Sequence, residues 1–188
     1  MMIRLAAEGD LPAIVEIANW AAAHTTANFA IEPEPLSLWQ ENFEKTRVMH
    51  PWLVAVDEGG AIAGFAKSSP WARRCAYSHA AEVTVYVESS QHGRGVGTAL
   101  YAALLPTLDA QGYRSLLAGI TQPNDASVRL HERFGFRRCA VFHHIGFKFG
   151  SWHDVGFWER ISRAGEGEAP PAPLPLRPVA EVWRGKAG

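Results

Sequence analysis

From the first residues, Ile3-Arg4-Leu5 alternates as a short strand does. Ile14, Ile17, Ala18 and Ala21 then recur at the spacing of a helix with one apolar face, ending near Ala23. Asp10 stands where it can cap that helix, and Pro12 lies in its first turn, where a missing N–H is harmless. His24 to Phe29 is small and polar, and Glu32-Pro33-Glu34-Pro35 stops any continuation. A second amphipathic segment follows with Leu36, Trp39, Gln40, Phe43 and Arg47. Trp52 to Val56 and Ala61 to Lys67 are β-prone runs joined by the hairpin signal Asp57-Glu58-Gly59-Gly60. Ser69 to Ser78 is a loop, Ala80 to Val87 a strand, and Val96 to about Ala110 a helix that Pro106 should bend or shorten and Gly112 should stop. Leu116 to Ile120 is a further strand, and Asn124 caps a helix closed by Gly135. Arg137 to Ile145 and Asp154 to Trp158 are the last two strands, linked by residues 146–152. This order predicts an α/β fold with a mixed sheet and helices on its faces.

The strand Val83-Thr84-Val85-Tyr86-Val87 leads through a short polar link to His92-Gly93-Arg94-Gly95-Val96-Gly97-Thr98 and a helix. Glycine at every second position strips side chains from the turn, so backbone N–H groups can point at an anion. The first turn of the helix adds its own unpaired N–H groups and dipole. A nucleoside-triphosphate loop would need Gly-Lys-Ser/Thr here, and a dinucleotide loop would need glycine at Thr98 or Leu100. Neither condition is met.

The composition narrows the field further. The chain has 188 residues, 47% hydrophobic and 20% charged, which suits one globular domain spanning 1–163. Residues 164–188 are rich in Gly, Glu, Ala and Pro and are expected to form a tail or packing arm. A net charge of −1 gives no field that would attract nucleic acid or a membrane surface. No apolar run approaches the roughly 20 residues that cross a bilayer. The N-terminus lacks the apolar core of a signal peptide, and two cysteines make no disulfide framework, so a cytoplasmic protein is expected. His143 and His144 are adjacent and point apart on a strand, with His153 ten residues on, so no metal site is expected.

The loop from His92 to Gly97 resembles the Q/R-x-x-G-x-G/A pyrophosphate loop of the GNAT superfamily of N-acetyltransferases, with His92 in place of Gln or Arg. Asn124-Asp125-Ala126-Ser127-Val128-Arg129-Leu130-His131 continuing to Gly135-Phe136 resembles that family's N-x-x-S-x-x-L-(Y/H)-x-x-x-G-F segment. Four further blocks resemble the phosphinothricin and methionine-sulfoximine acetyltransferases. They are Thr25 to Phe29 with Glu32-Pro33, Trp71 with Arg74 to Tyr77, Glu82 to Val87, and Gly146 to Trp158. The resemblance spans about residues 2 to 160; its other departures are Ala18, where an aromatic is common, and Pro106. It implies a GNAT-type α+β fold, with a mostly antiparallel sheet of about seven strands and about four helices, whose two parallel strands splay at an acetyl-CoA site. It also implies a homodimer.

Acetyl transfer to an amine requires a base for the ammonium proton, a donor for the tetrahedral oxyanion and a proton for the leaving thiolate. Glu82 interrupts an apolar strand and, by alternation, shares a face with Thr84 and Tyr86, which makes it the candidate base. The resemblance assigns the oxyanion contact to the backbone N–H of Val85 and the thiolate to His131. Acetyl-CoA contacts then fall on Val85, Tyr86, Val87, His92, Gly93, Arg94, Gly95, Val96, Gly97, Thr98, Asn124 and Ser127. An amino-acid acceptor's carboxylate calls for a cation such as Arg74 beside Tyr77, with Phe29 and Lys148 shaping the pocket. Residue chemistry alone leaves Glu82 open to an ion pair with a nearby Arg and His131 open to bonding a neighbouring carbonyl. It also leaves two other functions: a GNAT for another small amine or a protein N-terminus, and a non-catalytic acyl-CoA sensor.

Overall fold

The structure is a computed structural model that describes residues 1–162 and 174–185. Seven strands form one sheet in the order β1-β2-β3-β4-β5-β7-β6. They are β1 (Met2–Leu5), β2 (Trp52–Val56), β3 (Ile62–Pro70), β4 (Ala80–Val87), β5 (Ser115–Gln122), β6 (Arg137–Lys148) and β7 (Ser151–Ile161). Every neighbouring pair is antiparallel except β4 and β5. The helices are α1 (Leu11–His24), α2 (Leu36–Thr46), α3 (Val96–Gln111), α4 (Asp125–Arg133) and the single turn α5 (Val179–Val182).

The two faces of the sheet carry separate cores. On one, Leu11, Ile14 and Ile17 of α1 and Trp39 and Phe43 of α2 pack on Trp52, Val54 and Phe65. On the other, Leu100, Leu104 and Leu108 of α3 are fully buried against Leu53, Ala66, Ala81 and Leu116. Burying one such leucine is worth about 2 kcal/mol, so this row fixes the helix whose N-terminus faces the glycine turn.

Three details depart from the sequence-based expectations. Asp10 makes no capping bond to α1; its carboxylate instead takes both Arg4 guanidinium nitrogens, at 2.5 and 2.7 Å, and the Ala7 N–H. Pro106 does not shorten α3, because both it and Ala102, whose carbonyl loses its partner, face solvent. Residues 146–152 are not a loop: β6 and β7 run on to a two-residue turn at Phe149-Gly150, with Lys148 paired to Ser151. Their strand content is high because Gly146, Phe147 and Trp152 continue the ladder.

The described part of the C-terminal segment packs down. Val179 and Val182 are buried, the Val179 N–H donates to Val48, and the Gln111 amide donates to the Arg177 carbonyl at 2.9 Å. Pro170, Pro171 and Pro173 of the expected tail lie outside the described residues.

Candidate active site

The parallel pairing of β4 with β5 stops at Glu82 and Leu117. Beyond it β4 stays paired with β3 as far as Val87, while β5 stays paired with β7 as far as Gln122, so a gap opens inside the sheet. The Glu88 N–H donates to Ala63 and the Trp71 N–H to Ala80, which places the even-numbered residues of β4 in hydrogen-bond register with β3. The N–H and C=O of Val85 and Val87 therefore turn into the gap. A cavity of about 1270 Å³ fills it, lined by residues 82–87, the glycine turn, Gly119 to Thr121 and α4.

The glycine turn closes one end of this cavity. Gly93 and Gly95 hold φ of +75° and +80°, conformations L side chains seldom adopt, and Gly95 forms the N-cap of α3. Gly93, Gly95, Val96, Gly97 and Thr98 line the cavity, while the exposed Arg94 side chain does not. His92 folds back on β4, donating from Nε2 to the Val87 carbonyl at 3.0 Å. Asn124 uses its side-chain oxygen to cap α4 at the Ser127 N–H, 3.1 Å away. Its amide nitrogen remains for a ligand.

Glu82 lies at the root of the gap, half-buried. Burial raises its carboxyl above the usual range, and Lys67 opposes that rise. Above it the Tyr86 hydroxyl donates to Ala27, tying the 25–29 loop over this face. Phe29 lines the cavity from that loop. It packs so closely on Gly146 that an added Cβ there would collide with its ring.

His131 lines the cavity but is buried. Its Nδ1–H donates to the Ser127 carbonyl at 2.7 Å, so its Nε2 accepts from the Tyr101 hydroxyl at 2.8 Å. Burial lowers its pKa below the ordinary histidine value, which keeps the ring neutral. The carbonyl-bonding alternative for this residue is thus realised, and His131 meets the cavity alongside Tyr101.

Three expected acceptor contacts stand elsewhere. Arg74 and Tyr77 are exposed, at the single turn Cys75–Tyr77, and do not line the cavity of the isolated chain. Lys148 is buried away from it, with Nζ donating to the carbonyls of Ala22, Thr25 and Asn28. Its ammonium gathers the C-terminal carbonyls of α1 and pins the 25–29 loop. Sequence reasoning missed Tyr101, Trp20 and Arg129, all cavity-lining. Tyr101 was legible as the residue one helical turn after Gly97; Trp20 had no such signal.

A mixed sheet whose one parallel pair separates beside a glycine-capped helix defines an acyl-CoA-dependent acyltransferase fold. The chain belongs to the acetyltransferase (GNAT) family, whose match covers residues 14–136. It is 41% identical to phosphinothricin N-acetyltransferase of Streptomyces viridochromogenes, over 96% of this chain and 95% of that one. It is 37% identical to the L-methionine sulfoximine/L-methionine sulfone acetyltransferase of Pseudomonas paraeruginosa, over 84% and 92%. Among solved structures, a phosphinothricin acetyltransferase from Sinorhizobium meliloti in complex with acetyl-CoA superposes with a TM-score of 0.85 at 30% identity, covering 90% and 92%.

Proposed function

We propose that this N-acetyltransferase transfers acetyl from acetyl-CoA to the amino group of a small amino-acid-like acceptor of the phosphinothricin, methionine sulfoximine or methionine sulfone type. The observation that carries the reading is a free Val85 N–H facing the sheet gap with the half-buried Glu82 carboxylate at its root. The relatives named for those acceptors support the substrate class.

In this mechanism the glycine turn and the α3 N-terminus hold the pyrophosphate through backbone N–H groups. Asn124 offers its amide to the pantetheine arm. Glu82 takes the ammonium proton, directly or through a water, and the freed nitrogen attacks the thioester carbon. The Val85 N–H donates to the carbonyl oxygen as it gains charge. The C–S bond then breaks: the nitrogen, cationic after attack, gives up its second proton, and the departing thiolate takes one, beside the Tyr101 hydroxyl that His131 holds in place. Acceptor and acetyl-CoA react directly in a ternary complex.

The acceptor end is walled by Phe29. Phe142, Ile145, Phe147, Phe149 and Trp152 on the β6–β7 hairpin are each half or more exposed, and Ile145 also lines the cavity. Large apolar side chains left exposed together on one hairpin, with Phe147 stacked edge-on against Trp152, mark an interface. A second copy of the chain covers it in our reading, making a homodimer. Sedimentation equilibrium should return twice the 20.6 kDa chain mass, and a monomer at assay concentrations would overturn this. Exposed free thiols at Cys75 and Cys139 suit a reducing, cytoplasmic setting.

Thiol release from acetyl-CoA tests the activity. Turnover is expected with phosphinothricin, methionine sulfoximine and methionine sulfone, and not with polyamines or a short peptide. Turnover confined to the latter two would overturn the acceptor class. Tight acetyl-CoA binding with no turnover on any amine would favour a sensor.

A further inference from the structure

Lys67 is a cation that none of the roles above employs. It sits on β3, opposite Trp52 on one side and Thr84 on the other. Side chains opposite one another in an antiparallel pair share a face, so Lys67 stands on the face of Glu82, Thr84 and Tyr86. Its ammonium lies 4.6 Å from the Trp52 ring centroid and 5.7 Å from that of Trp39. Among the described residues it makes no hydrogen bond and no ion pair. An ammonium held against two indole faces without a carboxylate partner acts on its surroundings through its charge.

We propose that Lys67 is a positioning residue for acetyl transfer: its ammonium, fixed on the Glu82 face of the sheet by the Trp39–Trp52 pair, keeps Glu82 as a carboxylate able to accept the acceptor's proton at neutral pH. The proposal rests on the reading of Glu82 as the base. Burial alone drives the Glu82 carboxyl toward its neutral form, and Lys67 is the charge that opposes this. The same burial lowers Lys67's own pKa, while Glu82 and Glu34 support its charge. Glu34 reaches this cluster by accepting from the Trp39 indole at 2.9 Å. The other titratable groups in contact with the field are Tyr86, held neutral by burial and by both glutamates, and His50, held down at about 4 by burial and by Lys67. Neither carries charge at neutral pH, so Lys67 faces Glu82 and Glu34 alone.

Lys67→Met keeps the apolar stem on Trp52 and removes the charge; Lys67→Arg restores it. With ¹³C-labelled glutamate, the Glu82 carboxyl resonance is identified by its loss in Glu82→Gln, and its titration midpoint is read by NMR without reference to turnover. The midpoint should rise by about one pH unit in Lys67→Met and return in Lys67→Arg. The acidic limb of kcat/KM should move by the same amount, with the acceptor KM at high pH unchanged. A folded Lys67→Met protein whose Glu82 midpoint stays in place overturns the proposal, as does a manyfold rise in acceptor KM without a midpoint shift. If the midpoint moves while the acidic limb does not, Lys67 tunes Glu82 and the base assignment itself has failed.

Discussion

Replacing Glu82 by glutamine is expected to lower kcat/KM for the amino-acid acceptor by about 10²–10⁴-fold while leaving acetyl-CoA affinity unchanged. Glutamine preserves the size and hydrogen-bonding reach of the side chain at the root of the gap but cannot take a proton. The acceptor would then bind as its ammonium and wait on rare deprotonation in solvent. The pH dependence carries the sign. Glu82's pKa is raised by burial in the folded chain, so in the parent enzyme activity falls as pH drops through that raised value. In Glu82→Gln that limb should vanish, leaving a slow rate that climbs with hydroxide. Thiol-release kinetics across the pH range, paired with calorimetric titration of acetyl-CoA, separates the two effects. A Glu82→Gln enzyme within tenfold of the parent would remove Glu82 from the mechanism.

The second large effect is expected at the glycine turn. Gly95→Val should weaken acetyl-CoA binding by about tenfold or more, with kcat at saturating acetyl-CoA retained. An added Cβ at Gly95 meets no protein atom within 4 Å, so packing does not forbid the change. What forbids it is the +80° φ, which a β-branched residue leaves for a more relaxed conformation. Binding must then restore the strained turn, and the isopropyl group stands where phosphate approaches. Calorimetry should show the loss directly, with Gly95→Ala intermediate. Unchanged affinity in Gly95→Val would mean that the turn does not hold the pyrophosphate.

The sequence made the centre of the molecule legible and its periphery less so. Gly93 and Gly95 announced the turn because a bare backbone suits their positive φ, while Gly97, inside α3, leaves room for Leu130. Glu82 stood out because a lone carboxylate in a β-branched strand must meet either a partner or a substrate. The gap itself was reached only through family resemblance, since the parallel pairing that ends at Glu82 and Leu117 is a tertiary event with no local signal. Lys148 and Arg74 show the converse difficulty. Their charge was plain, but a long flexible cation can be drawn inward to carbonyls, as Lys148 is, or left in solvent, as Arg74 is. Lys67 escaped notice because Trp39 and Trp52, which hold it, come from different elements.

The open rung between β4 and β5 ties the enzyme's endurance to its fuel. A ligand that lends an acceptor to the Val85 N–H supplies what the sheet leaves unmade, and it binds the folded chain alone. At a hundred times its dissociation constant, such a ligand adds about 2.7 kcal/mol to the unfolding free energy. Acetyl-CoA held in this way is expected to stabilise the folded chain, so its thermal unfolding midpoint should climb as acetyl-CoA is added.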